Sequence, residues 1–428
     1  MEKGFSVKIT IINRFYPPDV SPTARLAASL AKHRVSKGDA VTVIGGQGYV
    51  VDDQKLPASL PSEIHTTDGK LGSLHIHHTW TPRLGKRTLF HRCLDYFAFY
   101  LLACFTILRL AKQDVIVCLT TPPLIVVAGL FHKLLHRKTR LILWNMDCYP
   151  EVAERSGTIR PQGIISRSLQ SVNRFLALHL DHIVCLDKAM KTLLASREKG
   201  HATPTTIIPN WEKLSDYPAI APVSLDKRKD LPFTVLYSGN MGYGHSFKTL
   251  LLAARELKRK GSSVRFVITG GGIRSEEIQQ RIATEDLHNI SFEGYVSHDQ
   301  LRHIQTTSHC ALITLRDNML GCMSPSKLHA SLAMGLPVLY VGPFGSSIDE
   351  AISNYGCGNS LRNGDVDGFI EAVENLAQLP NLQQRYSRSA RHAFEDKYCD
   401  QKNLILFDTV IDSTVVTSHC PLIQRDAA

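Results

Sequence analysis

The sequence predicts an α/β protein of two doubly wound domains that face each other across a cleft, and three observations carry that reading. Short apolar, β-branched runs alternate with stretches whose apolar residues recur at helical spacing, as where 235–238 is followed by Phe247, Leu250, Leu251, Ala254 and Leu257. This rhythm lapses over the polar, proline-containing stretch 212–230 and then begins again. The chain has 428 residues, more than one hydrophobic core usually serves. The division expected is a first domain over 1–211, a linker over 212–230, a second domain over 231–395, and a C-terminal segment over 396–428 in which a helix returns to the first domain ahead of a tail.

Composition narrows the classes. Hydrophobic residues make up 43% and charged residues 21%, a globular mixture that excludes a disordered chain. The net charge of +10 favours anionic partners, whether nucleic acid, acidic lipid or phosphorylated substrate, without choosing among them. The ten cysteines include no C-x-x-C pair and no Cys/His cluster at metal spacing, so reduced thiols, a cytoplasmic setting and no structural zinc are expected. Residues 1–6 lack an apolar core, so no signal peptide is expected.

The first elements read as βαβ. A strand over 7–12 ends at Phe15-Tyr16-Pro17-Pro18-Asp19; Ser21 is placed as N-cap with Pro22 in the first turn; Leu26, Leu30 and Ala31 supply the buried stripe, Gly38 stops the helix, and 41–44 is the next strand. Gly45-Gly46-Gln47-Gly48 has no helical pattern behind it and reads as a loop without a ligand. The histidines of 74–78 lack acidic or cysteine partners and read as edge or loop residues. Arg83, Lys86, Arg87, His91 and Arg92 lead into an uncharged, mostly apolar run over 96–108, too short to span a bilayer. That helix is either buried or lies in a membrane surface with its basic flank on anionic headgroups.

Two further runs, 115–119 and 141–144, are apolar on both faces, as covered parallel strands should be. Ligands bind beyond the carboxyl ends of such strands, which makes Asp147 a candidate site residue, with helix capping as the alternative. The junction at 235–246 is strand, glycine loop, helix, a place where a phosphate meets unpaired helix N–H groups. Its glycines Gly239, Gly242 and Gly244 do not match G-x-G-x-x-G, so a dinucleotide fingerprint is not supported. A second strand runs into Gly270-Gly271-Gly272. Asp365-Val366-Asp367 imitates a metal-binding pair but opens a helical run and reads as capping.

Over 324–340 a proline loop opens a short helix capped by Gly335, and Pro337-Val338 leads into a strand. Together with Tyr237-Ser238-Gly239-Asn240, Phe292-Glu293-Gly294-Tyr295, Ile208-Pro209-Asn210-Trp211, Phe15-Tyr16-Pro17-Pro18 and the stretch 38–43, it resembles the retaining nucleotide-sugar glycosyltransferases of the GT-B fold, glycosyltransferase family 4. The resemblance covers nearly the whole chain. It implies two Rossmann-like domains, a nucleotide-diphosphate sugar held mainly by the second, a sugar or lipid-linked acceptor held by the first, and transfer in the cleft with no cofactor and no required metal.

Departures from the family pattern qualify the site. The paired glutamates of many members fall at Cys322 and Ala330, which cannot accept hydrogen bonds as carboxylates do. The arginine and lysine that commonly hold the diphosphate fall at Asn240 and His245, and the glycine-rich first loop becomes Pro18-Asp19-Val20-Ser21. A divergent branch is implied, with Asp147, His245 and Lys327 as catalytic candidates; Gly239, Asn240, Gly242, Gly271, Tyr295, Lys327, Ser346 and Glu350 on the donor; and Asp19 and Asp147 on the acceptor. Charge develops on the β-phosphate as the nucleotide leaves, so cations and N–H groups there carry most of the catalysis. His245 is expected in the first turn of a helix facing the diphosphate, taking up a proton when phosphate binds, so that affinity falls between about pH 6 and 8.

The expected activity is hexosyl or N-acetylhexosaminyl transfer with retention, to a lipid-linked or cell-surface polysaccharide intermediate. The expected location is the cytoplasm, as a peripheral protein on the inner face of an anionic membrane. A nucleotide-sugar epimerase and a non-catalytic sugar-nucleotide-binding subunit are the alternatives. Nucleic-acid binding is not favoured, because no aromatic-basic module stands out.

Overall fold

In a computed structural model the described residues are 6–19, 21–46, 63–67, 70–80, 89–197, 202–217 and 231–419. Gln47, Gly48, Val20, the flank residues Arg83, Lys86 and Arg87, and most of the linker, 218–230, lie outside them. The first half runs β1 (Lys8–Ile12), α1 (Pro22–Ser36), β2 (Ala40–Gly46), β3 (Glu63–Thr67), β4 (Lys70–Thr79), α2 (Leu89–Arg109), β5 (Val115–Leu119), α3 (Val126–Leu135), β6 (Arg140–Trp144), α4 (Glu151–Arg155), α5 (Ile164–Ala177), β7 (His182–Cys185), α6 (Lys188–Ala195) and β8 (Thr205–Ile207). The second runs β9 (Thr234–Ser238), α7 (Lys248–Arg259), β10 (Arg265–Thr269), α8 (Ser275–Thr284), β11 (Ile290–Gly294), α9 (His298–Thr307), β12 (Cys310–Thr314), α10 (Lys327–Ala333), β13 (Val338–Val341), α11 (Ser347–Tyr355), β14 (Gly358–Leu361), α12 (Val366–Gln378), α13 (Pro380–Ala393) and α14 (Asp400–His419).

Each half forms one sheet. The first has the order β3-β4-β2-β1-β5-β6-β7-β8, parallel except for β3 at the edge; the second has the order β11-β10-β9-β12-β13-β14, parallel throughout. Strand order reverses between β1 and β5 and between β9 and β12, which are the places where doubly wound sheets bind ligands. Local chemistry explains the helix starts: Ser21 caps α1 by accepting from the Ala24 N–H, and Asp365 caps α12 by accepting from the Gly368 N–H. The two-domain α/β architecture is therefore as the sequence predicts.

The second domain hands the chain back to the first. Chain crosses between domains at 208–217 and again at 394–400, and the crossings pair as Glu212 N–H to the Tyr398 carbonyl (3.2 Å) and Asp400 N–H to the Glu212 carbonyl (3.0 Å). Helix α14 then buries Leu404, Phe407, Val410 and Ile411 in the first domain's core. The Phe407 ring lies 4.4 Å from that of Trp144 and 5.8 Å from that of Trp211, while the two indoles stack at 5.4 Å. Beside them Asp408 accepts from His33, Arg34 and Lys37 of α1. Burial alone would raise the Asp408 pKa; these hydrogen bonds outweigh it and hold the carboxyl well below its usual range.

Helix α2 is not wholly buried. It is amphipathic: Phe99, Ala103 and Ile107 are buried, whereas Leu94, Phe97, Leu101, Phe105 and Leu108 form an exposed stripe. Among the described residues no helix is long and apolar enough to cross a membrane.

Truncating Phe407 to Ala removes the ring that ties both crossings to the first domain. The expected loss is about 3–5 kcal/mol by denaturant titration. Because Asp408 is depressed on folding, its contribution is present above the unfolded carboxylate pKa near 4 and is lost as pH falls below it. Asp408→Asn should flatten that acid limb.

Candidate functional site

The site forms where loops leave β9, β10 and β11. Gly239 has φ of +120°, a conformation that side chains rarely adopt, and a Cβ there would also meet Lys327 Cε at 3.1 Å. The neighbouring glycine loop is held against it by Gly239 N–H to the Thr269 carbonyl (3.0 Å) and Met241 N–H to the Gly271 carbonyl (2.7 Å). A Cβ on Gly271 would lie 2.4 Å from the Tyr295 ring, so that exposed tyrosine caps the loop from β11. The Asn240 side chain lies between Gly242 and Gly272, its amide nitrogen 3.1 Å from where a Cβ of Gly242 would stand.

Lys327, first residue of α10, enters this loop cluster. Its ammonium donates to the Asn240 carbonyl (3.2 Å) and to His245 Nε2 (3.2 Å), and lies 4.8 Å from the centre of the Tyr237 ring. Three N–H donors and two acceptors leave one donor uncommitted. Among the described residues no carboxylate pairs with Lys327. Desolvation without a counter-charge lowers its pKa to about 7. A cation in this setting fits an incoming anion.

The structure corrects the reading of His245. It precedes α7, which begins at Lys248, and it is buried with Nδ1 2.6 Å from the Thr314 carbonyl. Nδ1 must donate there, so Nε2 is the unprotonated acceptor for Lys327. Burial first, and the Lys327 ammonium second, push its pKa down to about 3. His245 is thus neutral across pH 6–8 and orients the lysine; a titration in that window belongs to Lys327.

Asp147 pairs through its backbone with Met323 as an isolated bridge, and the Cys148 N–H donates to the Cys322 carbonyl at 2.7 Å. The domains therefore touch at Cys322, which is buried in that contact. The Asp147 N–H reaches Thr120 Oγ1 (3.2 Å), while its carboxyl, raised to about 6 by burial, lines a cavity in the first domain. Ala330 lines a small cavity beside Lys327 and Ser238.

Other candidates stand apart from the lysine. Ser346 is buried as the N-cap of α11, accepting from the Asp349 N–H (3.2 Å). Glu350 pairs across the domains with Lys188 at 3.3 Å. Asp19 Oδ1 accepts from the Ser21 N–H (3.1 Å) on the first-domain loop ahead of α1. A cavity of about 500 Å³ opens nearby between α1 and α10, bordered by Pro17, Arg25, Ser326 and His329.

Two residues escaped the sequence reading. Arg274 heads α8 directly after the second glycine loop; its Nη1 pairs with Glu277 at 3.0 Å, its Nε has no hydrogen-bond partner, and its charge is felt by His245. Its signal was an arginine following Gly270-Gly271-Gly272 at a helix start. Asp187 ends β7 and caps α6, yet its carboxylate also reaches Ser324 and Ser347 of the second domain. The strand-end rule that pointed to Asp147 applies equally to it.

Residues 225–393 match the model of glycosyl transferases group 1. The probable glycosyltransferase WbjE of Pseudomonas aeruginosa is 23% identical over 70% of this chain and 75% of its own. The putative colanic acid biosynthesis glycosyl transferase WcaI of Escherichia coli is 22% identical over 53% of this chain; the match spans 56% of its length, about half. Among solved structures, Anabaena HepE in complex with UDP-glucose superposes over 95% of this chain and 99% of its own, with TM-score 0.65 and 12% identity, a likeness of fold. The second domain thus matches a glycosyl transferase model, and the whole chain shares the fold of HepE.

The pKa of Lys327 sets a pH signature. A bound diphosphate favours the ammonium, so the affinity Lys327 adds is fully present below about pH 7 and is lost as pH rises through the higher pKa of the complex. The difference in nucleoside-diphosphate affinity between wild type and Lys327→Met, which cancels ionisation of the nucleotide, should narrow over that range in calorimetry. His245→Ala should weaken binding but keep a pH slope. A slope lost with His245 and retained without Lys327 would reverse this assignment.

Proposed function

We propose that the chain is a retaining transferase of hexosyl or N-acetylhexosaminyl groups from a nucleotide-diphosphate sugar to a lipid-linked or cell-surface polysaccharide intermediate, acting at the inner face of a membrane without a required metal. The observation that carries the reading is the Lys327 ammonium, set among Gly239, Asn240 and Tyr237 without a counter-charge among the described residues. On departure of the nucleotide, Lys327 and the loop N–H groups stabilise the charge that grows on the β-phosphate. Neutral His245 holds the lysine in place, Tyr295 covers the loop, and Arg274 adds a second positive charge. HepE, solved with UDP-glucose, supports a nucleotide sugar at a fold of this kind. Retention rests on the family resemblance. Ser346 and Glu350 border the contact with the first domain, from which they reach the donor sugar.

Asp147 is the group assigned to the acceptor hydroxyl, with Asp19 further along the first-domain face. Only the ionised carboxylate can take a proton, so log kcat/KM should fall as pH drops through about 6, and Asp147→Asn should abolish that limb along with most of the turnover. The exposed stripe of α2 continues on α3 through Phe131, Leu134 and Leu135, which suits a protein resting on a bilayer.

Two measurements test the reading. A panel of nucleotide sugars, with and without membrane lipid extract, should show nucleotide diphosphate release that depends on acceptor, with the donor's anomeric configuration kept in the product by NMR. A free sugar isomer formed without acceptor would make the protein an epimerase, and binding without release would make it a binding subunit. In liposome flotation, anionic vesicles should carry the protein upward and Phe97→Glu/Phe105→Glu should leave it in the aqueous fraction; equal recovery from anionic and neutral vesicles would reject the electrostatic part.

A further inference from the structure

The first domain contains a slot that its own side chains do not fill. It is a cavity of about 270 Å³ between α3 and α5, walled by Leu124, Val126, Leu143, Leu176, Leu180 and Leu194. Leu143 is the fourth of five residues in β6, the third strand from the β8 edge of the sheet, where a side chain is normally covered completely; here it stays partly open to the slot. An apolar hollow this close to the core costs packing contacts unless something occupies it.

The ends of the slot differ. At the cleft end stand Thr120 and Asp147, whose carboxyl accepts no hydrogen bond among the described residues. At the other end Leu178 is 58% exposed, and with Phe175 and the Leu134 and Leu135 side chains of α3 it joins the apolar surface that continues onto α2. Arg174 lies on the rim and forms no ion pair among the described residues. The slot is therefore mostly apolar, with Asn145, Tyr149, Asn173 and Arg197 among its liners, acidic at the cleft and open to an apolar face edged by a cation.

We infer that this slot holds the aliphatic chain of a lipid-linked acceptor, running from the membrane-facing surface to the cleft so that the polar head emerges at Asp147. The inference rests on the proposed transfer to a lipid-linked acceptor and gives that acceptor a binding site for its chain. Charge and shape favour an aliphatic chain: the walls are mostly apolar, the side chains of Asn145, Asn173 and Arg197 that also line them already donate to Met190, Tyr149 and Glu151, and Arg174 suits an anionic headgroup region at the rim.

Dansyl-undecanoic acid, below its micellar concentration, is the probe. Wild type should bind it saturably, with a blue-shifted emission. Ala177→Phe, which fills the slot from α5, and Leu178→Glu, which places a charge in its exposed mouth, should each weaken binding about tenfold or more. Thermal melts and nucleoside-diphosphate affinity of both variants should match wild type; Leu178→Glu keeps the test sound should Ala177→Phe fold poorly. Farnesyl phosphate or dodecyl phosphate should displace the probe, and the stronger competitor identifies an isoprenoid or an acyl chain. Unchanged probe affinity in both variants, failure of either phosphate to compete, or probe affinity that drops as protein concentration rises and a second copy covers the slot would overturn the inference. Acceptor-dependent turnover without probe binding would sink the slot alone, whereas probe binding without any sugar transfer would sink the transferase reading and leave the slot.

Discussion

The packing of Phe407 against Trp144 and Trp211 governs how the two halves of this protein meet. Trp144 ends a central strand of the first sheet, Trp211 lies on the outgoing crossing, and Phe407 belongs to the helix that returns. Because all three rings share one core, neither crossing can move without opening it. The backbone pairing of Glu212 with Tyr398 and Asp400 then sets both crossings side by side. With that edge held, the carboxyl ends of the two sheets have to face each other, and the contacts between Asp147–Cys148 and Cys322–Met323 become geometrically available.

Electrostatics in the cleft follows from the same closure. Lys327 is drawn out of water between a glycine loop, a neutral histidine and an aromatic face, and among the described residues no carboxylate pairs with it. Nearby carboxylates are engaged elsewhere: Glu350 with Lys188, and Asp187 with Ser324 and Ser347. Acidic groups thus hold the domains together while the cation beside the glycine loops stays uncompensated. That division is what lets a chain with Cys322 and Ala330, where the family resemblance implies glutamates, present the anion site proposed for it. The burden passes from side-chain carboxylates to a lysine, backbone N–H groups and Arg274.

The first domain shows a second asymmetry. Its sheet is closed tightly over β1 and β5, where Ile9, Ile11, Ile116 and Val117 are fully buried, yet it is loosely covered over β6, where Leu143 lines a cavity. The loose region is adjacent to the exposed apolar stripes of α2, α3 and α5. Cavity and surface are parts of one apolar region that the fold itself leaves unpaired.

The sequence by itself determined the architecture. Uninterrupted apolar runs such as 115–119 can only be parallel strands covered on both faces, and the capping residues Ser21, Gly38 and Asp365 mark helix ends through interactions two to four residues long. The edge strand β14 escaped because Gly-Asn-Ser-Leu carries no β-branched signal; Gly358 is there since a Cβ would lie 1.8 Å from the Val338 carbonyl, a constraint that only the neighbouring strand imposes. The glycine loops lie after strands as the sequence predicts, and Lys327, which the family resemblance implied, stands beside Gly239, but the state of His245 was not legible. Its tautomer depends on the Thr314 carbonyl 69 residues away, and its proton affinity on burial and on Lys327. The slot beside Leu143 was hidden for the same reason, whereas Arg274 and Asp187 each carried a local signal, a helix start after a glycine loop and a strand end. Short-range pattern specifies which elements form; the charge on a buried group, and the space left between helices, depend on which distant residues those elements bring together.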